Sequence, residues 1–138
     1  MTIVTVVRDG ALHGLTASSF AAVSLEPPLV LVCLDKRSRT RAMLLEVNVF
    51  GVNVLNEEQR DVAIAFAEDG PKDFERLPHH VDDTGAVFLD EAIASFGCTT
   101  VEVVEGGDHD IFIGEVETTA TREGRPLLYY DRDYRGLS

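Results

Sequence analysis

The sequence predicts a mainly β fold, a closed or half-closed β-barrel with two short helices. Three observations carry this. Short β-branched or apolar runs recur along the chain, each bounded by Gly, Pro, Asn or Asp turn signals. Only two stretches favour helix, and both are brief. No period repeats and no low-complexity run interrupts the pattern, which excludes a solenoid or an array.

Taken in order, Ile3 to Val7 is β-branched and apolar, and Arg8-Asp9-Gly10 is a turn signal, so a strand and a tight hairpin open the chain. Leu12 to Ser24 reads as the second strand. Beyond the Pro27-Pro28 corner, where two fixed φ angles turn the chain sharply, Leu29 to Leu34 is a continuous apolar run of the kind buried on both faces. Ala42 to Glu46 favours helix, with Ser38 or Thr40 available as N-cap. Val49 to Leu55 alternates between Asn48 and Asn56 and reads as a strand. Asn56-Glu-Glu-Gln59 resembles a capping arrangement for a helix through Phe66, with Val62, Ala63 and Phe66 on one face. From Glu68 to Gly85 the chain is polar and broken by Gly70-Pro71 and Pro78, which predicts a long loop over the barrel. Glu91 to Val104 and His109 to Thr121 form two long strands around the hairpin turn Glu105-Gly106-Gly107-Asp108, and Glu123-Gly124 turns the chain into Leu127 to Tyr130.

Length and composition bound the function. A chain of 138 residues predicts one domain over 1–138, large enough to bury roughly two thirds of its unfolded surface without a metal or disulfide. Its formal net charge of −12, from 24 acidic and 12 basic residues, repels a nucleic-acid backbone and an anionic membrane. No apolar run approaches the roughly 20 residues of a membrane span, and no signal-peptide pattern opens the chain, so the expected compartment is the cytoplasm. Cys33 and Cys98, each in an apolar strand and without Cys-x-x-Cys spacing, read as reduced core residues.

Candidate chemistry gathers in a few places. Thr16, Ser18 and Ser19 put hydroxyls among small residues, a setting in which a ligand approaches the backbone closely, although Ser and Thr also fill ordinary strand edges. Asp35-Lys-Arg-Ser-Arg-Thr-Arg41 holds four of the twelve basic residues just ahead of a helix N-terminus. Such a place favours a phosphate, or equally reads as a capped surface helix whose cations pair with acidic neighbours. Asn53, polar in an apolar strand, offers a donor and an acceptor either to a ligand or to neighbouring backbone. His109 stands where a Gly-rich turn becomes a strand, flanked by Asp108 and Asp110, and on its own reads as a strand-end histidine. His79, His80, Asp82 and Asp83 match no standard metal spacing and read as a solvated loop, so no metal site is expected. Neither Ser18 nor Ser19 lies in a Gly-x-Ser-x-Gly elbow, and no Gly-x-Gly-x-x-Gly follows a strand.

Five segments in register carry a resemblance: Gly14-Leu-Thr-Ala-Ser-Ser-Phe20, Val23-Ser-Leu-Glu-Pro-Pro-Leu-Val30, Phe50-Gly-Val-Asn-Val-Leu55, Gly107-Asp-His109 with Ile113-Gly-Glu-Val116, and Pro126-Leu-Leu-Tyr-Tyr130. Together they resemble the short-chain flavin reductases with a split-barrel FMN-binding domain, from about residue 3 to residue 137. The resemblance implies a Greek-key-like split β-barrel that binds FMN, with FAD possible, and takes NADH or NADPH as co-substrate without a Rossmann domain. It implies a homodimer that passes reduced flavin to an oxygenase partner; a flavin-binding or electron-transfer protein of the same fold is the alternative. Carried onto this chain, it places Thr16, Ala17, Ser18, Ser19, Asp35, Lys36, Ser38, Thr40, Arg41, Asn53 and Val54 at the cofactor, with the phosphate at the basic loop. It places His109 by the reacting face as the catalytic residue. The family's usual N-terminal helix is not found ahead of Ile3.

Overall fold

A computed structural model describes residues 1–137. The chain forms β1 (Thr2–Arg8), β2 (Ala11–Ala17), β3 (Ala21–Leu25), β4 (Pro28–Asp35), α1 (Arg39–Val47), β5 (Val49–Val54), α2 (Arg60–Ala67), β6 (His79–Val81), β7 (Val87–Leu89), β8 (Ala94–Gly106), β9 (His109–Thr121), β10 (Leu128–Tyr130) and β11 (Asp133–Arg135). Seven strands make one antiparallel sheet in the order β2-β1-β5-β8-β9-β4-β3, while β6-β7 and β10-β11 are separate hairpins.

The sheet curls, and its core shows why. Val4 of β1, Ala17 of β2, Val32 and Leu34 of β4, Phe50 and Val52 of β5 and Phe112 of β9 pack in a single buried cluster. Strands five places apart in the order share that cluster, which a flat sheet does not allow. No ladder joins the edge strands β2 and β3 among the described residues, so the hydrogen bonding stays open where a closed barrel was one of the two expectations. Leu44 of α1 enters the same cluster. A second cluster covers the outer face: Ile3, Leu55, Val87 and Leu89 pack against Ala63 and Phe66 of α2, with Phe74 and Leu127. β1 is thus buried on both sides, through Ile3 outward and Val4 inward.

Where the sequence and the fold differ, the reasons are physical. Leu12 to Ser24 is not one strand but two, because the hydroxyl of Ser19 takes over a rung of the ladder: it accepts from the Cys33 N–H at 3.0 Å and donates to the Cys33 carbonyl at 3.0 Å. β4 alternates buried and half-buried instead of being buried on both faces, and the half-buried Cys33 is no core residue, whereas Cys98 is buried. Burial pushes the Cys98 thiol up to about 12. The capping arrangement forms, with the Gln59 side chain accepting from the Asn56 N–H at 3.0 Å, but it precedes the helix, which starts at Arg60. The stretch expected as a loop contains β6. Its following turn is stapled by Asp82, whose carboxylate accepts from the Thr84 N–H at 2.9 Å, the Ala86 N–H at 3.1 Å and the Thr118 hydroxyl. Burial pushes the Asp82 pKa up, yet those donors outweigh it and hold the group below its ordinary value.

Candidate functional site

A cleft of about 690 Å³ opens where β2, at the sheet edge, faces the end of β4 and the start of α1. Its walls come from four places. β2 and the link after it supply residues 13–19, β4 supplies Cys33 to Asp35, the α1 entry supplies Arg37 to Thr40, and the end of α2 with its following loop supplies Phe66 to Gly70 and Lys72. His109 completes it from the start of β9. Small residues make room here: a Cβ on Gly14 would lie 2.8 Å from the Val4 carbonyl and 3.2 Å from the Phe66 ring, so α2 packs directly on this strand.

The structure gathers Thr16, Ala17, Ser18, Ser19, Asp35, Ser38, Thr40 and His109 around this one cavity. Thr16 donates to the Ala63 carbonyl at 2.6 Å, which fixes the strand against α2. Ser18 is exposed, and its hydroxyl makes no hydrogen bond among the described residues. Ser38 is the N-cap of α1: its Oγ accepts from the Arg41 N–H at 3.1 Å, and no acidic residue stands in the first helical turn. Ser38, Arg39 and Thr40, at the positive end of the helix, line the cleft, a setting that suits an anion.

Four expected residues lie outside the cleft lining. Lys36 pairs with Glu105, and Arg41 turns away to Asp110, Nε to Oδ2 at 2.8 Å. Asn53 is fully buried on β5, where its amide donates to the Ile3 and Val87 carbonyls, both at 3.3 Å, and accepts from the Leu89 N–H and the Ser95 hydroxyl. Val54 sits beside it in the ladder, opposite Thr2 and Ala94.

Charge in the cleft is mixed. The Arg37 guanidinium and backbone N–H hold the Asp35 carboxyl down at about 2, against an opposing effect of desolvation. Arg39 lines the cleft, is exposed and forms no ion pair among the described residues. His109 Nδ1 lies 2.8 Å from Asp108 Oδ1, and that hydrogen bond, followed by the charge of the ring, lowers the Asp108 pKa. His109 is half-exposed and cross-strand from Asp35, which puts it at the rim.

Several wall residues were not foreseen. His13 is buried with Nδ1 2.8 Å from the Thr40 hydroxyl; burial leads the lowering of its pKa, the Gly70 backbone opposes it, and the charges of Lys72 and Arg39 add to it. A signal existed, since it is a polar residue in an apolar strand beside Gly14. Phe66, Gly70 and Lys72 had none, because they reach β2 only through the docking of α2. Among the described residues no three His, Cys, Asp or Glu side chains converge as metal ligands, and no helix is long and apolar enough to cross a membrane.

Comparison with known proteins adds to this geometry. The profile of the flavin reductase like domain matches residues 1–138. The chain is 38% identical to the reductase subunit HsaB of a flavin-dependent monooxygenase from Mycobacterium tuberculosis, over 99% of this chain and 75% of that protein. It is 33% identical to an NADH-dependent flavin reductase of a Rhodococcus species, over 99% of this chain and 78% of the other. Among solved structures, nitrilotriacetate monooxygenase component B from Mycobacterium thermoresistibile superposes with a TM-score of 0.94 at 37% identity, covering 99% of this chain and 78% of that one.

Proposed function

The chain belongs to the family of flavin reductase like domains, and on that premise we propose that it is an NAD(P)H-dependent flavin reductase supplying reduced FMN or FAD to a partner oxygenase. One observation carries the reading: a single cavity collects the Thr16–Ser19 hydroxyls, the capped start of α1 and His109. In this reading the curled sheet is a split β-barrel acting as one domain. The names of relatives such as HsaB and the Rhodococcus flavin reductase support both the reaction class and the oxygenase partner.

The residues fit a flavin. Small and hydroxylated residues 16–19 accept a flat ring system and its polar edge, and the α1 N-terminus with Ser38 and Arg39 accepts the phosphate. Bound flavin supplies the hydride-accepting chemistry, and the chain supplies position and electrostatics. The β2 wall and α2 exclude water from one side. His109, held by Asp108 at the rim, orients the nicotinamide or stabilises charge beside the ring. Lys36 and Arg41, already paired with Glu105 and Asp110, shape the phosphate loop.

His109→Ala is expected to lower the reduction rate or raise the apparent KM for NADH, while the FMN titration stays within about threefold, roughly 0.7 kcal/mol. Full NADH turnover in that variant would leave His109 a strand-end residue. The protein is further expected to be a homodimer, since the sheet stays open between β2 and β3 and the second half of β8 leaves Val101, Val103 and Val104 exposed at 55%, 41% and 39%, an apolar strand surface that calls for cover. Light scattering at micromolar concentration checks it, and a monomer mass overturns it. The central test is anaerobic oxidation of NADH and of NADPH with FMN, FAD and riboflavin supplied in turn. Tight flavin binding without turnover would instead make this a carrier or electron-transfer protein.

A further inference from the structure

The anion loop and the His109 turn come from segments about seventy residues apart in the chain, yet they are tied at several points. Asp35 and His109 are cross-strand partners, the Lys36 N–H donates to the Asp108 carbonyl at 2.9 Å, and Lys36 Nζ pairs with Glu105 at the surface. A further tie is ionic and partly buried. Asp110, its side chain 6% exposed, takes Arg41 Nε on Oδ2 at 2.8 Å, and the same guanidinium reaches the Lys36 carbonyl at 3.5 Å. Arg41 also gives its backbone N–H to Ser38, so a single residue touches the helix cap, the loop backbone and the strand that follows His109.

We infer that Arg41 and Asp110 are a positioning pair that fixes the distance between the phosphate-holding loop and His109; the inference rests on the flavin-reductase reading of the cleft. Burying a carboxylate is costly unless a cation meets it, and a pair whose cation stays partly exposed adds little net stability. What it does add is a defined geometry. The Nε contact fixes the direction of the guanidinium, and thereby the α1 entry relative to β9. A ligand anchored by its phosphate at one end and worked on at the other is sensitive to that spacing, because small displacements of reacting groups cost large factors in rate. A ligand without a phosphate is not registered by the loop and does not feel it.

The test compares FMN with riboflavin in Asp110→Asn, Arg41→Gln, the double variant and Arg41→Lys, reading flavin dissociation constants by fluorescence quenching and kcat per flavin-binding site. Either single neutral variant is expected to lower kcat with FMN about tenfold and to weaken FMN about threefold, with both values for riboflavin within about twofold of wild type. The double variant is expected to be no worse than the poorer single one, as two halves of one interaction require, and Arg41→Lys is expected to recover part of the loss. Equal losses for the two flavins, additive losses in the double variant, or no loss at all would overturn the pairing role. Should Asp110→Asn fail to fold, Asp110→Glu takes its place in the same flavin contrast, because an Arg41 change alone would also follow from direct contact of its guanidinium with the phosphate. A wild-type protein that binds neither flavin sinks the functional reading itself, and this inference with it. Wild-type activity with unaffected variants sinks only the pair.

Discussion

Replacing Ser38 by Asp is expected to weaken FMN by at least about tenfold, or about 1.4 kcal/mol, while riboflavin barely responds. The substitution is informative because it should spare the fold. Ser38 caps α1 through Oγ, and aspartate is as good an N-cap as serine, with a charge that suits the positive end of a helix. The helix therefore keeps its cap, and the only new feature is a negative charge where the phosphate is proposed to lie. Paired titrations of the two flavins read the difference directly. Equal losses for FMN and riboflavin would mean that Ser38 supports the loop and does not meet the phosphate.

The second large effect falls on stability. Asn53→Ala is expected to cost about 3 kcal/mol, because it strands the buried Leu89 N–H and Ser95 hydroxyl and removes the donor shared by the Ile3 and Val87 carbonyls. Asn53 joins β1, β5, β7 and β8 through one amide, so its loss is felt across the outer face of the sheet. A urea melt gives the stability change, and a flavin titration on the folded fraction is expected to stay within about threefold of wild type. Unchanged stability with lost flavin binding would put the amide at the ring after all.

Features of the fold that depend on neighbours in sequence were legible, and those that depend on distant partners were not. The Arg8-Asp9-Gly10 hairpin could be read because Asp9 and Gly10, at φ of 50° and 80°, are the residue types that tolerate a tight turn. The bounds of β9 followed from Gly107, at φ of 68°, and from the apolar run behind it. The Ser38 cap was one of two options, and only the fold chose between them. By contrast, the break after Ala17 is made by a hydroxyl meeting Cys33 fourteen residues away. The hairpin of β10 and β11 turns through Asp131 and Arg132, both at positive φ without a glycine to announce it. In the site, the hydroxyl run and His109 stood out by type and setting. The pairing of Arg41 did not, since four cations crowd one loop and the acid that selects Arg41 lies 69 positions on. The α2 wall was invisible for the same reason: nothing in Phe66 to Lys72 says which strand it will cover.

The seam beside β2 gives the cleft its mechanical character. Interior strands such as β5 and β8 are gripped by ladders on both sides, and shifting one of them strains hydrogen bonds in two directions. β2 is gripped on one side only, by β1, and across the seam the Ser19 hydroxyl bridges to Cys33 just beyond the end of β2. Within the sheet, β2 therefore lacks the second ladder that holds the interior strands, and its outer face is held instead by α2 through the Thr16 hydroxyl on the Ala63 carbonyl. The side of the cleft formed by β2 thus rests on one ladder and one helix, whereas the side formed by β4 rests on ladders to both β9 and β3.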